Sequence, residues 1–94
     1  MAKVGGRLRK YHQNLRDIGC VVCLRLGLGP TPPAIHHLFD AHQRDDWLVA
    51  PVCHHHHQGP EGFHGLGGER PFRNRYGFGE MEMLSDTIRL LNEN

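Results

Sequence analysis

The sequence predicts a small α+β domain pinned together by metal, with a helix at each end, and three observations carry that prediction. The stretch from Pro51 to His64, PVCHHHHQGPEGFH, gathers one cysteine and five histidines in fourteen positions, a density of nitrogen and sulfur donors that packing does not require and metal ligation does. Cys20 and Cys23 form Cys-x-x-Cys, and Cys53 and His56 form Cys-x-x-His, so that on each side one tight turn aims two donors at one ion. Two short apolar runs, Ala34 to Leu38 and Leu48 to Val52, lie between those pairs and read as antiparallel strands. The four consecutive histidines stand in mid-chain between an apolar run and a Gly-Pro break, which is not where a purification tag stands, so they are native.

At 94 residues, 38% of them apolar, with twelve glycines and six prolines, the chain is sized for one domain, 1–94, and is too small for a comfortable hydrophobic core. A structural metal is the expected staple, because the free energy of metal binding becomes free energy of folding. Three cysteines serve a disulfide framework badly, whereas one Cys3His set uses all of them in a closed tetrahedral zinc site. A redox Cys-x-x-Cys or a buried free thiol is the competing reading, and the second pair ending in histidine argues against both. No apolar run approaches the ~18 residues of a membrane span, and no secretory signal is present, which points to the cytoplasm, where reduced cysteines favour zinc.

Net charge is only +1, but its distribution is uneven. Lys3, Arg7, Arg9, Lys10, Arg16 and Arg25 face a single acid, Asp17, before Gly29, and Arg70, Arg73 and Arg75 form a second basic cluster. From Pro30 to Gly68 lie Asp40, Asp45, Asp46 and Glu61 against Arg44. Basic flanks around a metal-rich, mildly acidic centre fit a polyanion held by its phosphates; ordinary solvated surface fits the charge pattern equally well.

In chain order, Met1 to Gly6 is expected as a loose arm, and Arg7 to Ile18 as an amphipathic helix with Leu8, Tyr11, Leu15 and Ile18 on one side. Gly19 ends it, and Cys20 to Cys23 makes a zinc knuckle around Val21 and Val22. Leu24 to Pro33 is a Gly/Pro loop, because Pro30, Pro32 and Pro33 deny helix. A helix starts close after Cys53 and is broken by Gly59-Pro60 within about two turns. Gly62, Gly65, Gly67 and Gly68 keep the chain loop-like past His64, and Arg70 to Tyr76 reads as a short helix opened by Pro71. Met81 to Leu91 is the clearest helix, with Met81, Leu84, Ile88 and Leu91 toward the core as a lid and Glu82, Asp86 and Arg89 exposed. No internal repeat is visible.

A strand ending in Ile35-His36-His37-Leu38, a return strand Val49-Ala50-Pro51-Val52, and a helix opening with Cys53-x-x-His56-His57 resemble the core of the HNH endonuclease superfamily. The GCVVC knuckle, the IHH strand, PVCHHHHQG, the Gly-Phe-His-Gly turn and the segment from Phe72 to Gly77 look most like the phage recombination-enhancement, RecA-dependent nucleases, over roughly Gly19 to Leu91. The resemblance implies an α+β fold with a zinc-stapled ββα-metal (His-Me finger) core between an N-terminal and a C-terminal helix. It implies a DNA endonuclease or nickase leaving 5′-phosphate and 3′-hydroxyl ends, with Mg2+ or Mn2+ as working metal and a histidine-rich set also able to trap Zn2+. A RecA-type recombinase filament is the implied partner beside DNA.

Phosphodiester hydrolysis needs a deprotonated water on one side of phosphorus and charge neutralisation on the other, and a histidine beside a divalent ion supplies both. Within the superfamily the first residue of the HH pair holds metal and the second activates water. That makes His37 the general base, and His36, His57 and His64 the ligands of a catalytic metal separate from the structural zinc of Cys20, Cys23, Cys53 and His56. Because His36 and His37 are adjacent on a strand they point to opposite faces, and the competing reading makes one of them a buried, hydrogen-bonded histidine. His54 and His55 are expected to be exposed, and His12 and His42 to lie on the surface. Arg70, Arg73 and Arg75 are candidate DNA phosphate contacts, or else the wet face of a short helix.

Two features depart from the superfamily pattern. The asparagine that usually precedes the second strand and orients the base is missing, and Asp45, Asp46 and Trp47 occupy its neighbourhood. Either aspartate, or a backbone carbonyl, takes over that role, or an aspartate approaches the metal. The Gly59-Pro60 break also means that His57 and His64 need not share a helical face. The rival functions are a non-catalytic zinc-ribbon module binding nucleic acid or protein, and a metal-storage or metal-sensing protein.

Overall fold

The computed structural model describes residues 2–40 and 45–93. The elements run α1 (Ala2–Ile18), α2 (Val21–Arg25), β1 (Ala34–His37), β2 (Val49–Val52), α3 (His54–His57), α4 (Phe63–Leu66), α5 (Glu69–Tyr76) and α6 (Glu80–Asn92). This is a small α+β arrangement in which the strands pair antiparallel, from Ala34 opposite Val52 to His37 opposite Val49. Both runs read as strands form them. Every residue of β2 is buried. No helix among the described residues is long and apolar enough to cross a membrane.

The sheet packs under α2 and α6, and Val21, Val22, Leu38, Val52, Phe63, Phe72 and Met83 fill the space between. Phe72 is the hub of an aromatic group, with Phe63, Tyr76 and Phe78 at centroid distances of 5.7, 4.6 and 5.7 Å. From α1, Leu15 is fully buried and Ile18 packs against the core, on the face expected of them.

Four expectations are corrected. The loose arm is helical from Ala2 onward, as the first turns of α1. Extending a nucleated helix adds one hydrogen bond per residue fixed, which outweighs the ~1 kcal/mol that Gly5 and Gly6 each cost relative to alanine. Leu24 and Arg25 belong to α2 rather than to the loop that follows, since the knuckle nucleates a turn that they prolong, with the Leu26 N–H donating to the Val22 carbonyl. Residues after Gly62 form α4 rather than loop, because the glycines there serve close packing. A Cβ at Gly62 would lie 2.5 Å from the His56 carbonyl carbon, and one at Gly65 would collide with the Gly59 carbonyl oxygen, so only glycine lets α4 press on α3.

The fourth correction concerns α6. Met81 and Ile88 are 62% and 50% exposed, whereas Glu80 (5%), Met83 (1%), Asp86 and Thr87 are buried, so the helix is rotated from its hydropathic face. Polar partners beneath it explain the rotation. Glu80 reaches His36 at 2.8 Å, and Asp86 takes both of its oxygens to the Arg25 Nη1, at 3.1 and 3.0 Å, while that guanidinium lies 4.9 Å from the Phe78 ring centroid. The Thr87 hydroxyl donates to the Met83 carbonyl, which lets a polar residue enter the core. Glu82 accepts the Gly79 N–H at 2.8 Å and caps the first turn.

Met83→Ala is expected to lower stability in urea melts by about 2–4 kcal/mol, as for a large side chain removed from a core. Met81→Ala should stay within about 0.5 kcal/mol, as on an exposed surface. Reversed values would restore the hydropathic face.

Candidate metal centres

Cys20 follows α1 and N-caps α2, its Sγ accepting the Cys23 N–H at 3.3 Å. Cys53 follows β2 and N-caps α3, which carries His56 one turn on. All four residues are buried. Cys23 Sγ and Cys53 Sγ are 3.7 Å apart, and His56 Nδ1 lies 3.5 Å from the first and 3.3 Å from the second. A tetrahedral zinc with its usual bond lengths requires ~3.8 Å between sulfurs and ~3.6 Å between sulfur and nitrogen, so these three donors, with that of Cys20 within 4.8 Å of each, fit such an ion. A disulfide, with sulfurs ~2 Å apart, does not fit. Burial pushes the Cys20 thiol up to about 12, so an ion must displace its proton. Burial, and then the charge of His55, lower His56, which keeps its imidazole neutral and its lone pair available. The cluster can hold a metal such as zinc.

A second cluster lies on the other side of α3. His36 from β1, His57 from α3 and His64 from α4 bring one ring nitrogen each within 4.8 Å of the others. The break at Gly59-Pro60 separates His57 and His64 onto two helices, and the close approach at Gly62 and Gly65 brings them back together, with ring centroids 4.9 Å apart. His36 is fully buried, His57 half-buried and His64 exposed, so the cluster has one open side. His36 donates through Nε2 to Glu80, and its Nδ1 is buried with no hydrogen-bond partner among the described residues. A buried lone pair on a ring packed against two more imidazoles is what a cation would satisfy, and the residues fit a bound metal on that observation. Burial first, then His36, His64, His54 and His37, push His57 down to about 4, which keeps it a neutral donor.

His37 points away from His36, as strand alternation requires. Its Nε2 donates to Asp46 Oδ1 at 2.8 Å, which leaves Nδ1 as the basic nitrogen. Of the two aspartates, Asp46 is therefore the one that orients His37; Asp45 instead accepts the N–H groups of Trp47 and Leu48, at 3.0 and 3.2 Å, and shapes the turn. His12, expected as a bare surface residue, donates to the Asp46 carbonyl at 2.7 Å, and Tyr11 packs on Trp47, so α1 holds that turn in place. His42 lies outside the described residues. A cleft of about 400 Å³ is lined by His37, His57, His64, Asp40, Phe63 and Glu80.

The arginines are placed differently from one another. Arg73 bridges Glu69 and Glu82, at 3.1 and 2.8 Å, and Arg75 is 3.4 Å from Glu61, so both already serve carboxylates of the chain; Arg70 is exposed on the same helix. His54 and His55 are exposed as expected. Sequence reasoning missed Glu80. An acid at a helix start reads as a partner of the helix dipole, and no spacing rule links it to a histidine 44 residues earlier. No protein-family model, curated protein or solved structure matches the chain.

The depressed His57 gives a signed pH dependence. Unfolded, its imidazole takes a proton near 6.5; folded, it resists until about 4. Between those values the unfolded state binds more protons, so this contribution to stability is present above ~6.5 and is lost as pH falls toward ~4. Thermal melts over that range should show Tm falling with acid, with a shallower fall in His57→Phe. An equal fall in both would remove His57 as the source.

Proposed function

We propose that this chain is a metal-dependent DNA endonuclease or nickase of the HNH type, with His37 as general base and His36, His57 and His64 as holders of the working metal. One observation carries the proposal: His57 and His64 of the three-histidine donor cluster line one cleft with His37, whose ring is held by the Asp46 carboxylate. The order β1, β2, α3, with His36 on the first strand and His57 on the helix, supports a ββα-metal core, and the fit of the cysteine cluster to a tetrahedron supports a structural zinc.

The chain's own groups then divide the work. His37, donating Nε2–H to Asp46, accepts the proton of the attacking water at Nδ1, and Asp46 stabilises the imidazolium that results. A divalent ion, Mg2+ or Mn2+ with Zn2+ as a competitor, supplies charge neutralisation at the phosphate and the leaving 3′ oxygen. The exposed side of His64 leaves the cleft open to a bulky polyanion, and Arg70 is an exposed cation beside it in sequence for a phosphate.

Plasmid nicking with added Mg2+ or Mn2+, with and without a RecA-type filament, tests this beside elemental analysis. His37→Ala is expected to keep its fold and both metals and to nick slower by roughly 10² to 10⁴. Undiminished nicking by that variant would remove the general-base role. A parent that holds one zinc and never nicks would be a zinc-ribbon binding module. Cys20→Ser should lose the cysteine-bound ion and the cooperative melt with it, and an unchanged melt would dismiss the staple.

A further inference from the structure

We propose that Glu80 is the positioning residue of the three-histidine cluster, its buried carboxylate gripping His36 so that Nδ1 is presented bare to a metal. The inference rests on reading that cluster as a metal site, and it concerns a residue 44 positions away in the chain. A carboxylate accepts, so the 2.8 Å contact between Glu80 Oε2 and His36 Nε2 requires the proton on Nε2. Neutral imidazole carries one such proton, which leaves Nδ1 with its lone pair. That nitrogen is fully buried and has no hydrogen-bond partner among the described residues. A buried polar atom without a partner is costly, and it sits in a ring whose centroid is 4.9 Å from that of His57 and 5.4 Å from that of His64. The arrangement carboxylate, imidazole, cation satisfies every one of these atoms, and it raises the basicity of the ligating nitrogen.

Glu80 is itself held in place. Its second oxygen accepts the Phe39 N–H at 3.1 Å, and its own N–H donates to Glu69 Oε1 at 3.0 Å. Phe39 and Asp40 have φ of 54° and 60°, a left-handed turn that is uncommon for residues other than glycine. One carboxylate therefore fixes both His36 and the reversal of the chain just after His37, at the edge of the cleft. Glu69 is anchored in turn by Arg73, so the grip on His36 runs back through α5.

The test uses the full chain with its cysteine site filled and the three-histidine site stripped by a mild chelator. Nitrogen NMR of the parent should show His36 protonated on Nε2 and bare on Nδ1. Titration with Co2+ or Zn2+, read from the visible bands of the histidine-bound cobalt and by calorimetry, should give a Kd about 10- to 100-fold weaker in Glu80→Ala, with Glu80→Gln in between because it keeps the acceptor oxygen. A folded Glu80→Ala that binds within about twofold of the parent would overturn the proposal, as would His36 protonated on Nδ1. If Glu80→Ala does not fold, the Glu80→Gln titration and the parent spectrum decide. A parent that binds no ion at this cluster overturns the role of Glu80 together with the site. A parent that binds, weakens on Glu80 substitution and never nicks DNA supports the role of Glu80 and strikes only the nuclease reading.

Discussion

Four buried donors within 4.8 Å of one another bring together two parts of the chain that lie 30 residues apart between Cys23 and Cys53. Cys20 and Cys23 bring α2 to the turn where β2 becomes α3, and Cys53 and His56 meet them there. The placement of the second cluster depends on this junction. Successive residues on a helix diverge by ~100°, so when His56 turns toward the cysteines, His57 is sent to the other side, toward His36. A helix of four residues has no stability of its own, and its direction is set by what its side chains meet.

The packing of α6 follows from a contest that hydropathy alone decides wrongly. Turning Met81 and Ile88 inward would gain at most ~1.5–3 kcal/mol apiece. The same rotation would carry Glu80 away from His36, whose buried imidazole would lose the hydrogen bond it makes to that carboxylate. Arg25 would lose Asp86 as well. Met83 and Thr87 still fill the core in the observed orientation, so little apolar burial is forgone.

How much was legible in the sequence follows from the range of each interaction. The cysteine and histidine pairs, the two strands and the faces of α1 are local patterns, and the structure has them where the spacing put them. His64 was legible as a companion of His57, although the route was not: glycines read as looseness turn out to be contact points between α3 and α4. Asp46 could be narrowed only to one of two neighbours, since a turn decides which carboxylate faces the strand. Glu80 was invisible because its partner lies 44 residues away, and its helical position has a dipole explanation that satisfies the sequence without it. The helical start of α1 was hidden by Gly5 and Gly6, whose propensity argues against what propagation achieves.

If both clusters hold ions, the adjacency of His56 and His57 would make them thermodynamically communicating vessels. They share four residues of helix, so whatever orders that turn at one cluster has already met part of the conformational entropy demanded at the other. Linkage then requires reciprocity: the factor by which occupancy of the cysteine cluster tightens the histidine cluster equals the factor in the reverse direction. Affinity at either cluster would in that sense be a property of the pair, and a substitution in the shared turn would act on both dissociation constants at once.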